Sequence, residues 1–188
     1  AKPVFSINMN IGAMLIHNKK IIKNSKFPPK KCEIVNCNTC PYFNNSFNHI
    51  KINNIIIPFQ TKANCSAVGV VYIILCKKCN CFYIGETSKT VKVRISQHLR
   101  DINYFIKNVQ KCLSNFDKTS PVAIHFAQKD HILSKDFSFF VFNENLTENI
   151  TRKSIEADLI NIFIKLNQKL LNKDIPNTKL VSKLCFNN

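Results

Sequence analysis

Residues 69–98 read GVVYIILCKKCNCFYIGETSKTVKVRISQH, and the fold turns on them. Val70 to Leu75 and Phe82 to Ile84 are β-branched and aromatic runs that suit buried strands, and CKKCNC between them suits a turn. Two of only three glycines, Gly69 and Gly85, bracket this hairpin, where backbone freedom or close approach is most useful. Beyond it, Thr87 or Ser88 can cap a helix whose apolar positions Val91, Ile95, Leu99, Ile102 and Ile106 form one stripe. Arg94 and His98 are one helical turn apart at the edge of that stripe.

Downstream, a polar loop is expected around 108–119. Ser120-Pro121 then reads as an N-cap and first helical position opening a short helix, VAIHFAQK. FSFFVF (137–142) reads as a buried strand. Thr151 can cap a second long helix with Ile155, Leu159, Ile162, Phe163, Leu166 and Leu170 on one face and Glu156 beside it. Upstream, residues 1–31 are Lys/Asn-rich, carry the apolar patch IGAMLI and end in KFPPKKC, which suits a basic linker with one short helix. Residues 32–68 form a cysteine-rich segment with NIIIPF as a short strand, 69–172 the main domain, and 173–188 a tail broken by Pro176.

At 188 residues and 45% hydrophobic content the chain can bury a real core. Its formal charge of +16, from 27 Lys+Arg against 11 Asp+Glu, predicts attraction to a polyanion, with nucleic acid the leading partner. Half of that charge, nine lysines less Glu33, precedes residue 69. No apolar run of about 18 residues or basic amphipathic anchor supports a membrane role. The opening AKPVFSINMN starts without Met and lacks targeting character, so a piece of a longer polypeptide is expected.

Nine cysteines without a secretory signal point to a reducing compartment, where cysteine clusters bind metal more often than they form disulfides. Cys76 and Cys79 form a CxxC in the hairpin turn, and His125 with His131 supplies two imidazoles. Two thiolates and two imidazoles suit tetrahedral Zn²⁺, with Cys81 a substitute ligand. Cys32, Cys37 and Cys40 with Cys65 suit a second structural Zn²⁺ site, with His49 the alternative fourth ligand. Cys112 and Cys185 are left as packed or exposed thiols.

Hydrolysis of a phosphodiester needs an activated water, stabilised charge on the phosphoryl oxygens and help for the leaving oxygen. Tyr72, Tyr83, Arg94, His98 and Glu156 can divide that work. A phenol becomes a base near neutral pH only beside a cation, and Arg94 is the natural neighbour, with a planar fork that also grips phosphate. One carboxylate with substrate oxygens and waters is an ordinary Mg²⁺ arrangement, which gives Glu156 a role.

These residues resemble the GIY-YIG nuclease family. Val-Val-Tyr72 stands for the first motif, Tyr83-Ile84-Gly85 matches the second, and Arg94-x3-His98, Glu156 and Leu171-Asn172 follow in family order. The CxxC between the motifs, GET after the second, the HF…H element at His125, Phe126 and His131, and the upstream cysteines are similar to the endonuclease domain of Penelope-like retroelements. The resemblance spans about residues 32–172.

It implies an α+β fold, a small three-stranded antiparallel sheet flanked by helices and preceded by a zinc-binding segment. It also implies a DNA endonuclease using one Mg²⁺ or Mn²⁺, with two structural Zn²⁺. By the same resemblance one tyrosine activates water while the other positions it, Arg94 stabilises phosphate charge, and Glu156 binds the metal. Asn172 supports the site and His98 assists proton transfer or phosphate binding. The implied biology is nicking of duplex DNA in the nucleus, so that the 3′-hydroxyl primes an upstream reverse transcriptase of the same polyprotein carrying element RNA. Two departures stand out: the first motif lacks its Gly-Ile pair, and position 86 is Glu where some repair members carry lysine. The competing readings are a non-catalytic zinc-dependent nucleic-acid-binding module and a GIY-YIG repair or restriction nuclease.

Overall fold

The structure, a computed structural model, describes residues 32–44, 49–52, 55–59, 61, 63–114, 118–128 and 130–173. The linker and short helix expected within residues 1–31 and the tail from 174 onward lie outside the described residues, as does Cys185.

Strands β3 (Val70–Cys76) and β4 (Cys81–Thr87) pair antiparallel with Tyr72 opposite Gly85 and Cys76 opposite Cys81. Asn80 closes the turn at φ 51°, a left-handed conformation that asparagine tolerates. Strand β5 (Phe137–Asn143) lies antiparallel on the other side of β3, with a register shift between Val71 and Tyr72. A two-residue β6 (Lys169–Leu170) adds parallel to β4, giving the order β5-β3-β4-β6. The expected three-stranded antiparallel sheet is therefore present, extended by one short parallel strand.

β3 is an unbroken apolar run because both of its faces are covered. Alternate residues Val70, Tyr72, Ile74 and Cys76 share one core with Phe137, Phe139, Val141 and the helices α1 (Val91–Lys107) and α3 (Pro121–Phe126). Val71 and Ile73 join Phe82, Ile84, Phe140 and Phe142 in a second core beneath α5 (Asn149–Lys165). That second core is also covered by the hairpin β1 (His49–Ile52) and β2 (Ile55–Pro58), through Ile50, Ile52, Ile57 and Phe59. The short strand expected in NIIIPF is β2; its partner β1 was not anticipated.

Several helix boundaries differ from expectation. The cap of α1 lies three residues after Thr87: it is Thr90, its hydroxyl accepting from the Val93 amide, whereas Thr87 ends β4 and accepts from the Lys89 amide. The buried face of α1 is Val91, Ile95, His98, Ile102 and Phe105, while Ile106 is half exposed. His98 thus lies within the stripe instead of on its edge. The expected loop after 108 contains a short helix, α2 (Val109–Leu113). α3 ends at Phe126, and Ser120 occupies its N-cap position without a side-chain capping bond. A further single turn, α4 (Leu133–Asp136), precedes β5. α5 starts at Asn149, so Thr151 lies inside its first turn and donates to Glu148 instead of capping.

Candidate active site and metal centres

Tyr72 points from β3 onto α1 and is fully buried. Its ring stacks on Phe139 with centroids 4.6 Å apart, and its phenol lies across Gly85 of the neighbouring strand. Arg94 Nε donates to the Tyr72 hydroxyl oxygen at 2.7 Å. Tyr72 Oη also lies 3.0 Å from His98 Nε2. Since the oxygen already accepts from the guanidinium, its own proton is best directed to Nε2, which leaves the imidazole proton on Nδ1. That Nδ1 is buried without a hydrogen-bond partner.

Burial drives the Tyr72 pKa well above the ordinary phenol value, with Tyr83 adding to the rise and Arg94 opposing it. Burial, and then Arg94, bring His98 down to about 3. Tyr72 is accordingly a neutral phenol and His98 a neutral imidazole in one row, Arg94–Tyr72–His98. At 3% exposure His98 contacts the tyrosine and not solvent.

Tyr83 is only half buried, and it lines a cavity of about 880 Å³ together with Glu156 and Asn172. Lys118, Lys153 and Lys173 stand around the same cavity. Burial also raises the Tyr83 pKa, while Arg94 pulls it down. Glu156, on α5, is held up at about 6, first by burial and then by the neighbouring Glu86 carboxylate, with Arg94 opposing. A carboxylate made costly to ionise by burial and a like charge is one that a cation relieves, which fits Glu156 as the ligand of a divalent ion.

Asn172 works through the backbone. Its Oδ1 accepts from Ile84 N at 3.0 Å and its Nδ2 donates to Ile84 O at 2.8 Å, gripping the residue between Tyr83 and Gly85. Arg152 was missed in the sequence. It is 6% exposed, donates from Nε to Glu86 Oε2 at 2.6 Å and from Nη1 to Leu146 O and Thr147 O, and sits one turn before Glu156. Glu86 is thereby tied to α5, and the acid at position 86 with a base at i−4 from Glu156 was the available signal.

The metal-ligand candidates assemble into two clusters. Donor atoms of Cys76, Cys79, His125 and His131 lie within 4.8 Å of one another, and so do those of Cys32, Cys37, Cys40 and Cys65. Neither substitute ligand, Cys81 or His49, belongs to these groups. In the first cluster Cys79 Sγ is 3.2 Å from His131 Nε2, and His125 Nε2 is buried without a hydrogen-bond partner. Burial and the adjacent His131 lower the His125 pKa to about 4, leaving the neutral imidazole that coordination requires. Asp130 Oδ1 stands 3.4 Å from His131 Nδ1, within ion-pair distance but without a hydrogen bond. Both donor sets fit zinc, and both could hold a metal ion.

Residues 68–135 match the family model of the GIY-YIG catalytic domain. The match takes in Tyr72, Tyr83, Arg94, His98 and the whole Cys76–His131 cluster; Glu156 and Asn172 fall beyond it. It supports nuclease activity in general terms, with DNA as substrate and a divalent metal. No curated protein and no solved structure matches the chain.

Proposed function

With a GIY-YIG catalytic domain at residues 68–135 as the premise, we propose that the chain is a divalent-metal-dependent endonuclease that nicks duplex DNA. The observation that carries this is the hydrogen-bonded row Arg94–Tyr72–His98 beside a cavity lined by Tyr83 and Glu156. Of the two motif tyrosines Tyr83 lines the cavity, so the water-facing role goes to it and the positioning role to the buried Tyr72. Arg94 donates from Nε to Tyr72 and from Nη1 to Gln97 Oε1, and its planar guanidinium would stabilise charge on a phosphoryl oxygen. Glu156 would hold Mg²⁺ or Mn²⁺, which when bound supplies charge stabilisation to the phosphoryl and leaving oxygens. His98 accepts the Tyr72 proton bond and fixes the phenol's orientation.

Its biological setting follows the retroelement-like pattern of CxxC, HF…H and upstream cysteines. The nick would present a 3′-hydroxyl to a reverse transcriptase elsewhere in the same polyprotein, in the nucleus and with element RNA as template. The +16 charge suits prolonged contact with both nucleic acids. Plasmid incubated with Mg²⁺ should be nicked by the wild type and left supercoiled by Glu156→Ala; equal nicking by both would remove Glu156 from the mechanism. Mapping both strands of a labelled duplex then separates a nick from a double-strand cut.

A second reading, a zinc-dependent nucleic-acid-binding module without catalysis, draws on the burial of Tyr72 and His98 and on the two clusters. It predicts salt-sensitive DNA binding with intact DNA under every divalent metal. Metal-dependent nicks that vanish in Arg94→Ala would dismiss it.

A further inference from the structure

The four-cysteine cluster is wired to the candidate active site at two points. The first runs through Cys65. A helix leaves its first backbone amides without intrahelical acceptors, and α1 satisfies three of them from outside its hydrogen-bonded turns. Val91 N donates to Ala67 O and Lys92 N to Cys65 O, both at 2.9 Å, and Val93 N donates to the Thr90 hydroxyl. Arg94 N is the next amide, bonded to Thr90 O at 3.0 Å. The residue that places a thiol in the cluster therefore also caps the turn from which Arg94 projects. Cys65 is 1% exposed, and residues 64–67 form a tight turn closed by Ala67 N to Asn64 O.

The second point runs through the 3₁₀ turn Cys40–Tyr42. Immediately after the turn, Asn44 N donates to Phe139 O at 2.8 Å, and Phe43 forms a parallel bridge with Phe139. Tyr42 packs edge-on against Phe137 with centroids 5.7 Å apart. Phe139 is the ring that stacks on Tyr72. The cluster is thus linked to both partners of the 2.7 Å Arg94–Tyr72 hydrogen bond, to one through a helix cap and to the other through an aromatic stack.

We propose that the Cys32–Cys37–Cys40–Cys65 cluster, with zinc bound, is a positioning element of the active site. It fixes the distance between α1 and β5, and with it the register of Arg94 on Tyr72. Four thiols that share a cation draw residue 65 and the Cys40 turn to one point; apart from that cation, the side-chain contacts on Cys65 Sγ are long ones, from Thr39 Oγ1 and Cys40 Sγ at 3.5 Å and from Cys37 Sγ at 3.9 Å. The metal accordingly organises a catalytic pair that it does not touch. Cys65 and Phe139 are positioning residues in this scheme. The catalytic part of it rests on the nuclease reading, whereas the structural part does not.

The test uses the full chain with zinc bound, read by amide hydrogen exchange and by single-turnover nicking of plasmid DNA in Mg²⁺. In Cys37→Ser, zinc content should fall by one per chain. The Val91 and Lys92 amides should exchange at least about tenfold faster, while the Ile84 amide held by Asn172 keeps its rate. Nicking should fall at least about tenfold. Unchanged exchange at Lys92 after the zinc is lost would overturn the proposal. Phe43→Ala guards against an unfolded cysteine variant, because it leaves every ligand in place. It should keep both zincs and the slow Lys92 amide yet nick more slowly, and full nicking would overturn the aromatic route. If the wild type nicks no DNA, the nuclease reading fails and the exchange measurement alone decides the brace.

Discussion

Tyr72 lies over Gly85 so closely that a β-carbon at position 85 would stand 2.5 Å from the phenol oxygen and 2.6 Å from Cζ. The two residues face each other across the β3–β4 ladder, so neither can withdraw without breaking register. The glycine of the second motif is thus a steric requirement of the first tyrosine. Gly85→Ala should destabilise the fold by about 1–3 kcal/mol, the usual cost of overpacking a close-packed site. It should also lower nicking more than stability explains, because the displaced phenol loses Arg94. Chemical denaturation alongside a cleavage assay checks this, and a fully active, equally stable variant would contradict it.

His98 makes folding sensitive to acid. Its pKa is about 3 in the folded chain against an ordinary 6.5, so the unfolded chain takes up the proton first. The stability associated with neutral His98 is therefore complete above about 6.5 and is lost as pH falls from there toward 3. Linkage gives a loss of about 2 kcal/mol between pH 7 and pH 5 from this one group. Urea titrations at the two pH values should show that difference in wild type and a smaller one in His98→Asn. Parallel pH profiles for the two proteins would count against the burial argument.

Glu156 behaves with the opposite sign. Its pKa is raised to about 6 from 4.5, so the folded chain binds the proton more tightly than the unfolded one. Its ionisation then weakens the fold as pH rises from about 4.5 through 6, and the loss persists at neutrality. Glu156→Gln should accordingly melt at a higher temperature than wild type at pH 7.5 without divalent metal, and the gain should vanish near pH 4.5. Added Mg²⁺ should stabilise wild type and leave the variant unmoved. Such a gain bought by losing activity is the pattern of a strained functional site.

Zinc should be recovered at about two per chain by elemental analysis of unchelated protein, the count for two four-ligand sites. His125→Ala should lower it to about one and destabilise the fold, since His125 joins α3 to the β3–β4 turn that carries Cys76 and Cys79. Identical zinc content in variant and wild type would remove His125 from the ligand set.

The hairpin was legible because Val70 to Leu75 is too continuous and too β-branched for a surface segment, and the CxxC at its tip announced metal. Other features depended on partners distant in sequence. The sequence offered Thr87 or Ser88 as the cap of α1, but β4 extends through Thr87 and the cap falls to Thr90. His98 reads as a polar edge residue until Tyr72 supplies the bond that lets it enter the buried stripe. Arg152 likewise reads as solvent-facing, but two loop carbonyls and Glu86 draw it inside. The helix α2 escaped notice because VQKCL is too short and too polar to carry a period.

The grip of Asn172 on Ile84 has a consequence for the sheet's margins. An exposed ladder of amides and carbonyls is a template on which a second molecule can add a strand. On the β4 side that ladder is occupied by β6, continued by Leu171 N to Phe82 O and finished by the Asn172 carboxamide, which imitates one more residue of strand. On the β5 side Phe43 and Asn44 engage Phe139. Both margins are thus engaged from within the chain at these residues, which leaves less of the ladder of a valine-, isoleucine- and phenylalanine-rich sheet open to edge-to-edge association.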